Sequence, residues 1–195
     1  MRIIAFLLVL LGSITACKEK SAESGEMPTL PSSSIFNLSS QWENQNGDTL
    51  HLTDLQGKTL VVVMIYSSCK TACPILIAKM KQIESKFDRK DIDKISMVLV
   101  SIDPETDTPE HLKAFATKNG MDGNQWIFLR SDENATREFA NVLAMKYKKI
   151  SPIDFSHSNI ISVFKPNGQL VKQEEGEINI DNVVTTVNKV VKGNS

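Results

Sequence analysis

Cys69 and Cys73 stand four positions apart in the segment Ser67-Ser68-Cys69-Lys70-Thr71-Ala72-Cys73-Pro74. A thiolate is both a nucleophile and a soft metal ligand, so a close pair has two chemistries open to it. If the segment is helical, the three intervening residues put the sulfurs on neighbouring turns. There they can close a disulfide or grip one metal ion. A free cysteine also serves as a small buried hydrophobe, which is the ordinary alternative. A cross-link this short closes little chain, so holding a fold together is a weak use for the pair. Two cysteines followed by proline at a junction between elements argue for chemistry.

The elements around the pair define that junction. Leu60 to Tyr66 is a continuous apolar and β-branched run, which predicts a strand covered on both faces. Pro74 to Phe87 carries Ile75, Leu76, Ala78, Met80, Ile83 and Phe87 at the spacing of one helical face. Pro74 suits a first-turn position, where its missing N–H costs nothing. The carboxyl end of a strand meeting a helix N-terminus is where α/β proteins place their sites. The helix dipole and free N–H groups there favour a thiolate, and Lys70 adds a positive charge nearby.

The rest of the chain reads as alternating strands and helices. Ser39 to Trp42 and Thr49 to Leu52 flank Asn46-Gly47, a hairpin signal. Ile95 to Ile102 is a second buried strand. A helix follows, with Thr108 as cap, Pro109-Glu110 in its first turn and Gly120 as terminator. Trp126 to Leu129 predicts a short strand and Glu133 to Tyr147 a helix. Ile160 to Phe164 and Leu170 to Gln173 form a hairpin around Pro166-Asn167-Gly168, and Ile180 to Val191 closes the chain as a helix. No repeat or second domain is visible. The expected class is α/β, with a central mixed sheet, flanking helices and an N-terminal β-hairpin.

Three stretches together resemble the Sco/SenC family of copper-binding, thioredoxin-like proteins. They are Cys69-x-x-x-Cys73-Pro74, the run Ser101-Ile-Asp103-Pro104-Glu-Thr-Asp107-Thr108-Pro109, and His157 just ahead of the strand Ile160 to Phe164. The order of elements after residue 35 also matches. The resemblance implies a thioredoxin-like fold and copper held by Cys69, Cys73 and His157. It gives Asp103 a supporting role beside the site. It further implies help in building the dinuclear copper centre of cytochrome c oxidase, with that enzyme's copper-bearing subunit or another envelope copper enzyme as client. A copper donor and a thiol reductant would be the other partners. This chain has Lys70 where the family commonly has Pro, and Ser156 where it commonly has Asp. Neither change removes a ligand.

The donor types agree with that implication. Two thiolates and an imidazole are few and soft, which suits Cu(I), while Cu(II) asks for further donors. A structural zinc site would want four closed ligands, and only three candidates converge. Of the other histidines, His51 falls in the N-terminal hairpin and His111 in the first turn of a charged helix. Both are expected at the surface.

The pair admits other readings. A thiol–disulfide oxidoreductase would use Cys69 and Cys73 for exchange, with a disulfide when oxidised. Its usual spacing is Cys-x-x-Cys, and the neighbourhood Ser156-His157-Ser158-Asn159 lacks the proline that thioredoxins place before this strand. The two roles are compatible, since reducing a client's cysteines can precede loading them. A peroxiredoxin-type peroxidase would need an arginine near Cys69, and none is close in sequence. A scaffold without chemistry leaves the cysteine pair unexplained.

The amino end supplies the address. After Met1-Arg2, the apolar run Ile3 to Leu11 is shorter than the roughly 20 residues of a spanning helix. Small residues then lead to Cys17, the layout of a secretory signal over residues 1–16. Ile14-Thr15-Ala16-Cys17 resembles a bacterial lipobox, which implies a lipidated Cys17. Residues 17–34 read as a lipidated start and flexible tether, rich in Ser, Glu, Lys and Pro. The domain is expected over residues 35–195. The implied place is the bacterial envelope, anchored to a membrane and facing the periplasm or exterior. The 195 residues carry 22 basic and 23 acidic side chains, interspersed, with a net charge of -1. Nothing in that balance suggests a nucleic-acid partner.

Overall fold

The computed structural model describes residues 30–151 and 154–193. The expected signal peptide, Cys17 and the tether as far as residue 29 lie outside them. Asn46-Gly47 does turn a hairpin, joining β1 (Gln41–Asn44) to β2 (Thr49–His51). Gly47 takes φ +83°, a left-handed value that glycine reaches without a Cβ clash.

The apolar run becomes β3 (Thr59–Ile65), buried at all seven positions, and the second becomes β4 (Ile95–Ser101), buried likewise. They pair in parallel, Thr59 opposite Ile95 through Ile65 opposite Ser101. β5 (Trp126–Arg130) continues the parallel set beside β4. β8 (Ile160–Phe164) lies antiparallel on the other side of β3, and β9 (Leu170–Glu175) lies antiparallel beside it. The seven-stranded mixed sheet therefore runs β2-β1-β5-β4-β3-β8-β9. The N-terminal hairpin is its edge, because Glu43 pairs with Arg130.

Among the described residues, four α-helices flank the sheet. α1 (Ala72–Ser85) begins two residues before Pro74, which still occupies the first turn. α2 (Pro109–Lys118) opens on the Thr108 side chain, which accepts from the His111 N–H. α4 (Ile180–Val191) packs over β3, β8 and β9, with α1 beside it. Its Val183, Val184, Val187 and Val190 are buried, and such side chains stabilise by about 1.5–3 kcal/mol each.

One helix departs from expectation. α3 (Glu133–Val142) ends well short of Tyr147. Ala144 adopts φ +51°, and the Met145 N–H returns to the Ala140 carbonyl at 2.9 Å, which caps the helix and folds Met145 inward. Tyr147 then lies in a strand. β6 (Tyr147–Lys149) pairs antiparallel with β7 (Phe155–His157) as a separate two-stranded ribbon, which the sequence pattern did not announce. At the other end, Ser34 is buried and donates to the Asn167 carbonyl at 2.7 Å, so the end of the expected tether is docked on the β8–β9 turn.

Candidate metal centre

The site forms where β3 hands over to α1. Past Ile65 the chain has no ladder partner and turns, the Cys69 N–H donating to the Tyr66 carbonyl at 3.2 Å. Thr71 is the N-cap of α1, but its side chain makes no capping bond. The Cys69 sulfur takes that part, accepting from the Cys73 N–H at 3.3 Å. A helix start leaves N–H groups unpaired, and here one of them is spent on a thiol.

The two sulfurs differ electrostatically. Burial opposes charge on Cys69, but the Cys73 and Thr71 backbone N–H groups, then the Tyr66 hydroxyl and the Cys73 thiol, outweigh it. Together they bring the Cys69 thiol down to about 6. None of these causes is Lys70, which is exposed. Burial pushes the Cys73 thiol far the other way, and the Cys69 charge adds to the shift. The metal-free pair at neutral pH is therefore one thiolate and one thiol.

His157 comes from the end of β7. Its Nδ1 lies 3.1 Å from the Ser158 carbonyl, which only accepts, so the ring proton belongs on Nδ1. That leaves Nε2 unprotonated, its lone pair accepting from the Cys73 thiol at 3.9 Å. A backbone carbonyl fixing the tautomer of a ligating histidine is a common supporting device in metal sites. The Cys69, Cys73 and His157 donor atoms all lie within 4.8 Å of one another. No other group of three metal-ligating side chains occurs among the described residues. His51 and His111 are exposed, as expected.

Two residues that sequence reasoning left unassigned hold this geometry. Tyr66 is buried at the end of the strand run, its hydroxyl between the Cys69 sulfur and the Phe155 backbone. Burial and the Cys69 sulfur raise that hydroxyl to about 12. Its ring packs 5.2 Å from Phe155 and edge-on 5.8 Å from His157, tying the ribbon to the β3 end.

Asp107 is fully buried and accepts from both the Ser67 N–H and the Ser67 hydroxyl, and from Ser101 Oγ at 2.5 Å. It clamps the loop that carries Cys69. A polar residue in a motif beside a buried strand was the available signal. Asp103, read as the supporting residue, is buried in the same loop but is not among the three converging donors; its N–H donates to Ser101 Oγ at 3.0 Å. Cys17 lies outside the described residues.

Comparison with known proteins places the chain. A family model described as SCO1/SenC matches residues 32–192. The SCO1 protein homolog of Bacillus subtilis is 28% identical over 151 residues, 75% of this chain and 78% of that protein. The solved structure of BsSco, described as a member of the Sco family of cytochrome c oxidase assembly proteins with a disulfide switch, superposes with a TM-score of 0.68. It is 26% identical, and the match covers 78% of this chain and 91% of that one. Arabidopsis thaliana ScoI, solved with copper bound, gives a TM-score of 0.66 at 18% identity, over 78% of this chain and 96% of that one. With the model match spanning nearly the whole described domain, the chain belongs to the SCO1/SenC family.

Proposed function

We propose that this protein is an envelope copper chaperone that holds Cu(I) through Cys69, Cys73 and His157 and passes it to a client. The observation that carries the reading is the convergence of two sulfurs and an imidazole nitrogen within 4.8 Å, with Nε2 left unprotonated by its tautomer. Two soft sulfurs and one nitrogen match Cu(I) better than harder ions. Binding displaces the Cys73 proton, so uptake releases protons and strengthens as pH rises. A partly covered three-donor site also suits handover, since an incoming thiolate can replace one donor at a time. The family's link to cytochrome c oxidase assembly makes the copper-bearing subunit of that enzyme the proposed client.

The low Cys69 value favours a second, compatible role. Without copper the pair can reduce a client disulfide: the Cys69 thiolate attacks and releases one client sulfur, Cys73 gives up its proton to that sulfur and attacks Cys69, and the second client sulfur leaves as a thiolate while the Cys69–Cys73 disulfide forms. That oxidised form cannot ligate copper.

The test is an anaerobic Cu(I) titration of the reduced protein, residues 18–195, against a competing chelator. One tight equivalent is expected, weakened by His157→Ala and abolished by Cys69→Ser or Cys73→Ser. Full retention in Cys73→Ser would sink the site.

Localisation rests on the signal-like residues 1–16 and Cys17. Among the described residues no helix is long and apolar enough to cross a membrane. A lipid on Cys17 is the proposed anchor, and Cys17→Ser should move the protein from the membrane to the soluble fraction. Continued membrane retention of that variant would remove the anchor.

A further inference from the structure

The register of the β6–β7 ribbon sets Tyr147 opposite His157 and Lys149 opposite Phe155, so these four share one face. Tyr147, Lys149 and Phe155 of that face help close a crevice of about 690 Å³ at the carboxyl ends of β4 and β5, beside the start of α3. That volume falls in the range of ligand sites, and the ends of parallel strands are where α/β folds place them.

Its lining is unusual in one respect. Six buried side-chain polar atoms among the described residues lack a hydrogen-bond partner, and four belong to residues lining this crevice: Asp103 Oδ2, Arg130 Nε, Thr136 Oγ1 and Tyr147 Oη. Asp103 is 2% exposed and Thr136 0%. Leaving such atoms unpaired costs about 1–3 kcal/mol each, so a cluster of them marks a place prepared for something polar. Arg130 is already held by Glu43 at 2.7 Å and by the Pro104 carbonyl at 2.8 Å, which fixes its remaining N–H in place.

The unpaired set comprises one carboxylate oxygen that accepts, one guanidinium N–H that donates and two hydroxyls that can do either. The charged lining balances, four acidic side chains against four basic, so neither an anion nor a cation is favoured overall. Ile102, Pro104 and Phe155 add apolar wall. A peptide group matches this: its N–H meets Asp103, its carbonyl meets Arg130 or a hydroxyl, and it carries no net charge. Phe155 forms part of the crevice and packs on Tyr66, whose ring lies against His157. An occupant is thus two rings away from the metal donors.

We propose that this crevice seats an extended segment of the client polypeptide, holding the client beside Cys69, Cys73 and His157 during transfer. The proposal rests on the copper-chaperone reading for the client's identity, but not for the binding itself. The probe is the copper-free copper-bearing domain of the oxidase subunit, titrated into the reduced, copper-free protein and followed by amide chemical shifts. Shifts are expected at Asp103, Arg130, Thr136 and Tyr147. Thr136→Val and Tyr147→Phe should each weaken binding by about three- to tenfold, one hydrogen bond's worth, without lowering the unfolding midpoint.

Loss of stability with unchanged client affinity would mean that the hydroxyls serve water in the crevice, and overturns the proposal. So would an absence of client binding, or binding that ignores both substitutions. The Cu(I) titration of the unsubstituted protein separates the two claims. Copper binding with an indifferent crevice leaves only the chaperone reading, and a responsive crevice without copper binding leaves only the docking site.

Discussion

The chemistry of the site depends on two identical side chains being made unequal. Cys69 sits where backbone N–H groups point at its sulfur, and Cys73 one turn along is 1% exposed among apolar neighbours. In the reduced, metal-free protein, alkylation should titrate at Cys69 with a midpoint near pH 6 while Cys73 stays unreactive. A shared midpoint near the ordinary value of about 8.5 would contradict the inequality. The same shift has a sign in stability. A thiol whose folded value is depressed stabilises the fold as a thiolate above its unfolded value, and the contribution vanishes as pH falls through about 6. The reduced protein should therefore gain stability between pH 6 and 9, and Cys69→Ser should flatten that rise in a urea-denaturation series.

Asp107 works at the same scale without touching a ligand. Its removal would strand the Ser67 hydroxyl, the Ser67 N–H and the Ser101 hydroxyl. Asp107→Ala is expected to cost about 2–4 kcal/mol of unfolding free energy and to weaken Cu(I) retention, because the Cys69 loop loses its clamp. Retention at the unsubstituted level in a folded Asp107→Ala protein would show that the loop holds its shape without it.

At the scale of elements, the ribbon is the part that completes the site. β6 and β7 form only three residue pairs, too few to stand alone, so the ribbon depends on what it packs against. Phe155 supplies that support, with Tyr66 on one side and Tyr147 at 6.4 Å on the other. Truncating it with Phe155→Ala should lower Cu(I) affinity by about three- to tenfold although the ring ligates nothing. Amide exchange at Ser156 to Ser158 should quicken in parallel. The β8–β9 turn shows a different constraint. Gly168 takes φ +81°, and a Cβ there would meet Ser34 Oγ and approach the Phe36 ring at 2.7 Å. Gly168→Ala is predicted to destabilise by about 2 kcal/mol or more, read by thermal unfolding, and a neutral result would mean that the residue 34–36 segment can shift aside.

At the scale of the whole molecule, the site joins parts far apart in the chain. Cys69 and Cys73 follow β3, Asp107 follows β4, and His157 arrives from the ribbon 84 positions after Cys73. A ligand that bridges such parts stabilises the folded state by mass action. Free Cu(I) at a hundred times its dissociation constant should add about 2.7 kcal/mol, seen as a higher unfolding midpoint in the reduced protein. The protein with a Cys69–Cys73 disulfide should show no shift. An equal shift in both forms would place the copper elsewhere.

The sequence by itself determined the strands of the seven-stranded sheet, the existence of the four flanking helices and the cysteine pair. The buried positions of β3 and β4 are apolar apart from Thr59, Ser96 and Ser101, so both strands read directly as nearly continuous apolar runs, the mark of a strand covered on both faces. Cys69-x-x-x-Cys73-Pro74 was legible for a similar reason: its spacing and its junction are both local. The valine spacing of α4 was local too, and its bounds came out as read.

Tertiary structure decided what required distance to collapse. The end of α3 moved because Met145 gains a buried place by folding back, a gain no local window contains. β6 and β7 are short, half-exposed strands with weak patterns, and they exist by packing on Tyr66. The inequality of the two thiols, the clamp of Asp107 and the unprotonated Nε2 of His157 follow from which N–H, hydroxyl or carbonyl each side chain meets. Periodicity along a chain reports burial, whereas hydrogen-bond partners drawn from elements far apart in sequence are chosen only when the chain has closed on itself.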